Sequence, residues 1–318
     1  MPEKEYKNAI CSLCRKEGIE LFIAKDKVHK KPGVFHVFHC QNCQVDFIEC
    51  PEDLTDYYDN NYFSDLINEK SLLFRIKSHV IANFYAPSGF IKKKIYGFLL
   101  GFIAALPQEK GRILDVGCGP GDILYLLKKV GFDVYGLDIS QYAVDAAHKN
   151  GLENVALGME DKLAEYSDEF FDCIRGSHVI EHMPDPIKFL NLCRRKLKNG
   201  GSLILATPNI NSFNRVIFGE HTKCYRDIPR HIILFSNKGI TKILKKAGFG
   251  DARITYRNMF SDFYEGLFCF LDDKFKILNT TLGKKLYRNI FINFIFLPID
   301  FFAIMIGGGE TMTVNIRK

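Results

Sequence analysis

An apolar run breaks into alternating glycines at Arg112-Ile-Leu-Asp-Val-Gly-Cys-Gly-Pro-Gly-Asp122. The run predicts a buried strand. Gly117, Gly119 and Gly121 predict a sharp turn that a ligand can approach closely, because glycine has no Cβ atom. Residues 122–130 then space apolar side chains as a helix does, with an acid in the first turn and lysines in the last. The stretch therefore predicts strand, turn and helix, and by itself it is a binding fingerprint of the nucleotide type.

Alternating strand and helix patterns continue on the carboxyl side of this loop. They predict a mostly parallel sheet covered by helices on both faces, with further strands at 132–138, 155–157, 170–175, 202–206 and 252–257. The strand at 132–138 ends in Asp138, about 20 residues beyond the glycine loop, where an acid accepts the ribose hydroxyls of a nucleoside. A solvated surface carboxylate is the alternative for Asp138.

Two Cys-x-x-Cys pairs stand near the amino terminus, Cys11 with Cys14 and Cys40 with Cys43, on either side of a strand-like stretch at 35–38. Tetrahedral Zn²⁺ accepts four thiolates, and a module this small has too little core to fold without its metal. The spacing predicts a zinc ribbon with structural Zn²⁺. Four thiols without a metal are the alternative.

Composition is that of an ordinary globular protein of 318 residues. The net charge of +6 is too small for a chain of this length to imply a nucleic-acid partner. Residues 1–7 lack the apolar segment of a secretory signal. We therefore expect a cytoplasmic location, or a peripheral one at the inner face of the membrane.

Histidines cluster in two segments that follow predicted strands. Loops at the carboxyl ends of parallel strands form the ligand crevice, and long loops in compact domains are commonly functional, as expected for the polar stretch 209–235. Imidazole titrates near the working pH, so His178, His182 and His231 are the predicted candidates for a general base. Two of them have a structural alternative: His182 caps the turn that follows it, and His231 orders its own loop.

Five motifs in fixed order carry a family resemblance: Leu114-Asp-Val-Gly-Cys-Gly-Pro-Gly121, Gly136-Leu-Asp-Ile139, Ile180-Glu-His-Met-Pro-Asp-Pro186, Gly200-Gly-Ser-Leu-Ile-Leu-Ala-Thr-Pro-Asn209 and Arg230-His-Ile-Ile-Leu-Phe-Ser236. Over about residues 111–257 the chain resembles the class I S-adenosylmethionine-dependent methyltransferases, in particular bacterial members with an N-terminal zinc ribbon. The resemblance implies a Rossmann-like α/β fold. Its sheet has seven mostly parallel strands, and the last strand, 311–317, is antiparallel between the fifth and the sixth.

The resemblance also implies a cofactor site. S-adenosylmethionine would be bound by Asp115, Gly117, Cys118, Gly119, Gly121, Asp138, Ile139, Glu160 and Ser177. Met159 stands where the family often has an acid near the adenine, so Glu160 or Asp161 takes that role in our interpretation. In relatives with Glu-x-x-Glu-His after the fourth strand the motif holds a divalent ion. Here His178 replaces the first Glu, which leaves His178, Glu181 and His182 as a mixed set of possible ligands that suits a transition metal better than Mg²⁺. We expect no second metal site.

The resemblance divides the chain into five parts: a zinc ribbon at 1–60, a helical linker or cap at 61–110, the methyltransferase core at 111–257, an apolar helical insertion at 258–310 and the final strand at 311–318. The most apolar part of the insertion, 290–306, is interrupted by Asn293, Pro298 and Asp300 and is short for a span of about 20 residues. We expect no transmembrane helix. The insertion is either a lid or dimer surface, or an interfacial helix that touches a membrane through 284–306.

Three functions compete at this stage. The first is methyl transfer from S-adenosylmethionine to an oxygen, or a carbon, of a small-molecule, sugar or lipid-linked acceptor. The second is an RNA methyltransferase that grips nucleic acid with the ribbon. The sequence lacks the Asn/Asp-Pro-Pro-aromatic motif of base methylation and any arginine-rich aromatic stretch, so a nucleic-acid partner is disfavoured. The third is an inactive zinc-ribbon binding protein, which the intact acids Asp115 and Asp138 argue against.

Overall fold

The fold is taken from a computed structural model of the chain. The structure describes residues 8–28, 30–51, 54, 57, 71–87, 89–103, 105–258, 262–277, 280–283 and 290–318. The boundary predicted at residue 60 and the predicted membrane-facing residues 284–289 lie outside these ranges.

A small antiparallel sheet contains the two cysteine pairs. Its strands are β1 (Asn8–Ile10), β2 (Glu17–Ala24), β3 (Phe35–Cys40) and β4 (Val45–Ile48), in that order. Phe38 and Phe47 stack between β3 and β4 with ring centroids 5.6 Å apart. The fifth strand, paired antiparallel with β4, is Ile233–Phe235 from the far part of the chain. The ribbon therefore shares a sheet with residues that follow His231.

The larger sheet confirms the predicted fold class. Counting Ile233–Phe235 as β10, its strands are β5 (Arg112–Val116), β6 (Asp133–Asp138), β7 (Val155–Leu157), β8 (Phe171–Ser177), β9 (Leu197–Pro208), β11 (Arg253–Arg257) and β12 (Thr311–Arg317). They run in the order β11-β12-β9-β8-β5-β6-β7, with β12 antiparallel to both of its neighbours. Four of the five residues of β5 are buried, as expected for a central strand covered on both faces.

Helices cover the sheet and connect its strands. They are α1 (Leu72–Tyr85), α2 (Phe90–Ile103), α3 (Asp122–Lys129), α4 (Gln141–Lys149), α5 (Glu160–Glu165), α6 (Pro186–Lys196), α7 (Phe213–Phe218), α8 (Lys223–Arg226), α9 (Asn237–Lys246), α10 (Asp262–Phe275) and α11 (Ile290–Met305). Side-chain caps explain several of the starts: Ser140 accepts from Ala143, Asp185 from Lys188 and Ser236 from Gly239.

Local structure differs from the predictions in two places. Strand β9 begins at Leu197, before the predicted start at residue 202, and the backbone of Lys318 pairs with Gly200 and Gly201. The loop predicted at 209–235 contains α7, α8 and β10, whose hydrogen-bonding partners lie in the ribbon and the C-terminal insertion.

The C-terminal insertion leaves the large sheet after β11 and returns to it as β12. Within it, α10 packs on α11, and the rings of Phe263 and Phe296 have centroids 5.7 Å apart. Asn258 ties the two ends together: its Nδ2 donates to Asp300 Oδ1 at 2.7 Å, and its Oδ1 accepts from Glu310 N at 2.7 Å. Across the described ranges, every helix is too short or too polar to cross a membrane.

Candidate active site

The glycine loop joins β5 to α3 with three residues in the left-handed region, at φ values of 67° for Gly117, 55° for Gly119 and 85° for Gly121. A Cβ atom would lie 2.6 Å from Val179 Cγ2 at Gly117 and 2.2 Å from Leu152 Cδ1 at Gly121. At Gly119 a Cβ would meet nothing within 4 Å. The outer glycines therefore permit close packing, whereas Gly119 faces open space that a ligand can enter.

Asp138 ends β6 beside this loop. Its Oδ2 accepts from Gly119 N at 2.8 Å and its Oδ1 from Ser140 N at 2.9 Å. Burial raises the pKa of this carboxyl group, although the backbone donors oppose the shift. The next residue, Ile139, leaves about half of its apolar surface exposed. An acid followed by an exposed apolar side chain suits a ribose and an adjoining base.

Asp115 lies in the interior of β5, where it pairs with Arg175 of β8. The Nη1 atom of Arg175 donates to both carboxylate oxygens at 2.5 Å. Burial raises the pKa of Asp115 against the opposing charge of Arg175. Sequence reasoning missed Arg175, whose only signal was a second charge, besides Asp172, in a largely apolar strand.

The other predicted cofactor residues are distributed around the loop. Cys118 lies within it, and burial holds the pKa of its thiol well above the usual value. Ser177 ends β8 beside Gly117, because the neighbouring pair in the register is Val116 with Gly176. Glu160 begins α5, with its Oε2 3.1 Å from Lys188 Nζ. Asp161 instead holds the turn before α5, since its Oδ1 accepts from Met159 N at 2.9 Å.

A cavity of about 450 Å³ opens beside the carboxyl ends of β8 and β9. All three predicted histidines line it. The full lining is Val28, His178, His182, Pro208, Lys223, Cys224, Arg226, Asp227, His231, Asp262, Glu265, Cys269, Glu310 and Thr311. The walls of the cavity thus come from the ribbon, two loops of the core, α10 and the start of β12.

His182 and His231 face each other in this cavity, with ring centroids 4.9 Å apart at an interplanar angle of 62°. The Nδ1 of His182 lies 2.8 Å from Arg230 O, and the Nδ1 of His231 lies 2.7 Å from Cys224 O. A carbonyl oxygen can only accept, so both Nδ1 atoms carry a proton, and the lone pair of each neutral ring is on Nε2. Burial and the neighbouring His231 lower the pKa of His182 to about 4, which keeps it neutral at physiological pH.

Glu181 lies beneath the two rings and is fully buried. It accepts from Thr207 Oγ1 at 2.9 Å and from His178 Nδ1 at 3.1 Å. Burial favours a higher pKa, but the hydrogen bond and charge of His178 outweigh it and lower the pKa of Glu181 to about 2. Potential ligand atoms of Glu181, His182 and His231 lie within 4.8 Å of one another, an arrangement able to hold a divalent cation. Sequence reasoning placed His178 in such a set, whereas the geometry brings in His231.

The four predicted zinc ligands converge in the ribbon. The Sγ atoms of Cys11, Cys14, Cys40 and Cys43 all lie within 4.8 Å of one another, and those of Cys14 and Cys40 are 3.5 Å apart. Tetrahedral Zn²⁺ with bonds of about 2.3 Å requires sulfur separations of about 3.8 Å, so the cluster fits the ion.

Comparison with known proteins gives matches to methyltransferases. The sequence profile of a family described as "Methyltransferase domain" matches residues 91–252, just over half of the chain. A ubiquinone biosynthesis O-methyltransferase from Xanthomonas oryzae is 35% identical over 112 residues, 33% of this chain and 46% of that protein. One of the same description from Cereibacter sphaeroides is 34% identical over 122 residues, 36% and 49% of the two chains. The chain thus spans about half the length of these curated relatives.

Among solved structures, a SAM-dependent methyltransferase from Archaeoglobus fulgidus aligns with 78% of this chain and 100% of its own. The TM-score is 0.46 and the sequence identity is 21%.

Proposed function

The chain belongs to the class I S-adenosylmethionine-dependent methyltransferases, and from this membership we propose that it methylates an oxygen, or a carbon, of a small-molecule, sugar or lipid-linked acceptor. The observation that carries the proposal is the junction of two sites at one sheet edge. Val179, which packs on Gly117 of the glycine loop, directly follows His178 of the cavity wall. A methyl donor at the loop would therefore adjoin an acceptor in the cavity.

We assign the donor to the glycine loop. S-adenosylmethionine supplies a methyl group on a positively charged sulfur, which is already a reactive electrophile. Gly119 leaves room for it, Asp138 would accept the ribose hydroxyls and Ile139 would contact the adenine. The methionine part would be held by Gly117, Cys118, Gly121 and Ser177, and the Asp115–Arg175 pair fixes the end of the strand that leads into the loop. The remaining task of the chain is to align the acceptor in a dry site.

We assign deprotonation of an acceptor hydroxyl to the paired histidines. In this scheme the acceptor oxygen would take the methyl group as the sulfur–carbon bond breaks, and an Nε2 atom of the two histidines would accept the hydroxyl proton. His182 is neutral at physiological pH, but a pKa of about 4 makes it a weak base on its own, so we assign the step to the pair of histidines. His178, with a more exposed side chain, orients Glu181 in this scheme. The names of the curated relatives, which specify O-methylation, support oxygen as the acceptor atom.

The direct test is a screen with cofactor labelled in its methyl group. The zinc-loaded protein is incubated with extract of the source cells, and labelled products are identified by mass spectrometry. We expect a labelled small molecule or lipid that is absent when the variant His182→Ala/His231→Ala replaces the wild type. Labelled RNA would instead support the second function, and an unlabelled extract would support the third, a binding protein without activity.

We propose that the four cysteines bind one structural Zn²⁺, which is supported by the convergence of the thiols and the burial of three of them. Metal analysis should give one zinc per chain, and the variant Cys40→Ser should lose it. A metal-free wild type that is fully folded would contradict this assignment.

The position of the ribbon favours the small-molecule acceptor over RNA. Backbone oxygens of both knuckles accept from the core: Leu13 O from Lys246 Nζ at 2.9 Å, Gln44 O from Ser236 Oγ at 2.6 Å, and Asn42 O from Lys242 Nζ. The knuckles are thus engaged within the molecule. RNA retention that weakens with rising salt concentration would revive the alternative.

For the C-terminal insertion we propose two roles. Asp262, Glu265 and Cys269 of α10 line the cavity, which supports a role as a wall or lid over the acceptor. The end of α11 exposes Phe301, Phe302, Met305 and Ile306. We assign this apolar end to a second copy of the chain. Light scattering should then show a dimer that Phe302→Ser disrupts, whereas a monomer that sediments with anionic vesicles would favour membrane contact and a lipid-linked acceptor.

A further inference from the structure

Arg230 connects the ribbon to the acceptor cavity. Its side chain is completely buried. Nη2 lies 3.1 Å from Asp26 Oδ1, on the ribbon segment that follows β2, and Nε donates to Asp227 Oδ1 at 2.7 Å. A buried guanidinium is strongly unfavourable unless it is paired. The two carboxylates from separate parts of the chain fix its position.

Arg230 is also connected to both His182 and His231. Its backbone oxygen accepts the Nδ1 proton of His182 at 2.8 Å. Its side-chain partner Asp227 has Oδ2 3.4 Å from His231 Nε2, and the Asp227 carbonyl accepts from His231 N at 3.0 Å. One residue therefore holds the tautomer of His182 and places a carboxylate beside the nitrogen of His231 that would receive a proton.

The ribbon end of this connection is itself fixed. The two carboxylate oxygens of Asp26 accept from Val28 N and Lys31 N, each at 3.1 Å. Two residues beyond Arg230, the Ile232 carbonyl accepts from Ile48 N of β4 at 3.1 Å, while Ile232 N donates to Glu181 O at 2.8 Å. The segment with Arg230 and His231 is thus held between the ribbon sheet and the turn that contains Glu181 and His182.

We propose that Asp26 and Arg230 are positioning residues through which the folded ribbon sets the orientation of His182 and His231. The inference rests on the function proposed above for the two histidines. The glycine loop is held by other contacts, including Leu137 O, which accepts from Gly117 N at 2.7 Å. Loss of the connection should therefore damage the acceptor side and spare cofactor binding.

The test compares Arg230→Lys with Lys242→Met. Lysine keeps the charge of Arg230 but cannot bridge two carboxylates as the guanidinium fork does. Lys242→Met is the matched control, because it removes another charged contact between core and ribbon, to Asn42 O, that does not lead to the histidines. Nitrogen-15 NMR of the imidazoles reports the tautomer, and titration calorimetry with S-adenosylhomocysteine reports the cofactor site.

In Arg230→Lys we expect the imidazole signals of His182 and His231 to move toward a mixture of tautomers, label transfer to fall at least tenfold, and cofactor affinity to stay within twofold. Lys242→Met should leave the imidazole signals, the label transfer and the cofactor affinity unchanged. Unchanged imidazole signals in Arg230→Lys, or equal shifts in the control, would overturn the inference. If the wild type fails to bind S-adenosylhomocysteine, the proposed function fails, while the imidazole signals still decide the inference.

A second measurement covers the case in which Arg230→Lys does not fold. Hydrogen exchange is followed in the wild type with S-adenosylhomocysteine, before and after removal of zinc by a chelator. We expect exchange to rise at least tenfold at residues 222–236 and to stay unchanged at 111–121. Equal protection of 222–236 in both states would contradict the inference.

Discussion

The cofactor half and the acceptor half of the site are built in opposite ways. One continuous stretch, residues 112–140, supplies most of the cofactor half, including the glycine loop and Asp138, while Ser177 and Glu160 are added by β8 and α5. The acceptor cavity is assembled from the ribbon, the turn at 178–182, the segment 208–231, α10 and the start of β12. A binding site made of neighbouring residues is specified by local turn geometry, whereas a site made of distant segments depends on every element that holds them. The acceptor half should therefore be the more easily disturbed.

Removal of zinc should give the largest effect and would sharpen this contrast. Because the ribbon has little core of its own, the variant Cys40→Ser should lose several kcal/mol of stability, a fraction of the roughly 10–16 kcal/mol by which zinc stabilises isolated fingers. Thermal unfolding with and without a chelator measures the loss. Cys50→Ser is the matched control, since Cys50 is an exposed thiol outside the cluster. Equal melting temperatures for the two variants would show that the metal does not stabilise the fold.

The same difference explains which parts of the structure could be predicted from the sequence. The strands and helices of the large sheet follow from apolar runs and glycine turns, which are local signals, whereas the antiparallel return of β12 was implied by the family resemblance. Four cysteines in two pairs identified their own cluster. Arg175 and Arg230 were missed because their partners, Asp115 and Asp26, come from other strands or loops. Asp227 was missed although it precedes His231 by only four residues, because sequence spacing alone does not show that their side chains meet. Strand β10 was missed because three residues, Ile233–Phe235, form a strand only by pairing with β4.

Loss of both histidines should have the next largest effect. If it weakened cofactor binding, the cofactor half and the acceptor half would not be separate. In His182→Ala/His231→Ala we expect the rate of methyl transfer to fall about 10²–10⁴-fold, the usual contribution of general base catalysis. Affinity for S-adenosylhomocysteine should stay within twofold of the wild type. The control His148→Gln changes a histidine of α4 that bonds to Val155 O, and it should retain activity.

A chelator that leaves the ribbon zinc in place should leave the rate of methyl transfer unchanged. If activity instead required added Mn²⁺ or Mg²⁺ in the wild type, the trio of Glu181, His182 and His231 would be a metal centre rather than a base.

Acid should reveal the lowered pKa of His182, whose side chain is partly buried. Its pKa is about 4 in the folded chain against an ordinary value of 6.5. As the pH falls from about 6.5 to 4, His182 therefore becomes protonated in the unfolded chain while it stays neutral in the folded chain. The free energy of unfolding decreases across that window. The loss should be on the order of 3 kcal/mol. Urea unfolding of wild type and His182→Gln at pH 7 and pH 4.5 measures it, and parallel pH dependence in both proteins would refute the burial argument.

Glycine substitutions should give the smallest effect and the finest comparison. Gly119→Ala adds a side chain in open space, so it should cost only about 1–2 kcal/mol of backbone strain and mainly weaken cofactor binding. Gly151→Ala is a suitable control, because it also has positive φ and open space but lies beyond α4. The two variants should melt alike, and only Gly119→Ala should lose affinity for S-adenosylhomocysteine. Equal affinities would remove Gly119 from the cofactor site.

The cofactor half of the site should bind S-adenosylmethionine, and the acceptor half should not contribute to that binding. Titration calorimetry with S-adenosylhomocysteine tests it in three proteins: the wild type, Asp138→Ala and His182→Ala/His231→Ala. We predict one site per chain in the wild type, the same affinity in the histidine variant, and a loss of at least tenfold in Asp138→Ala. Absence of binding by folded, zinc-loaded wild type, or equal affinity in Asp138→Ala, would contradict the claim.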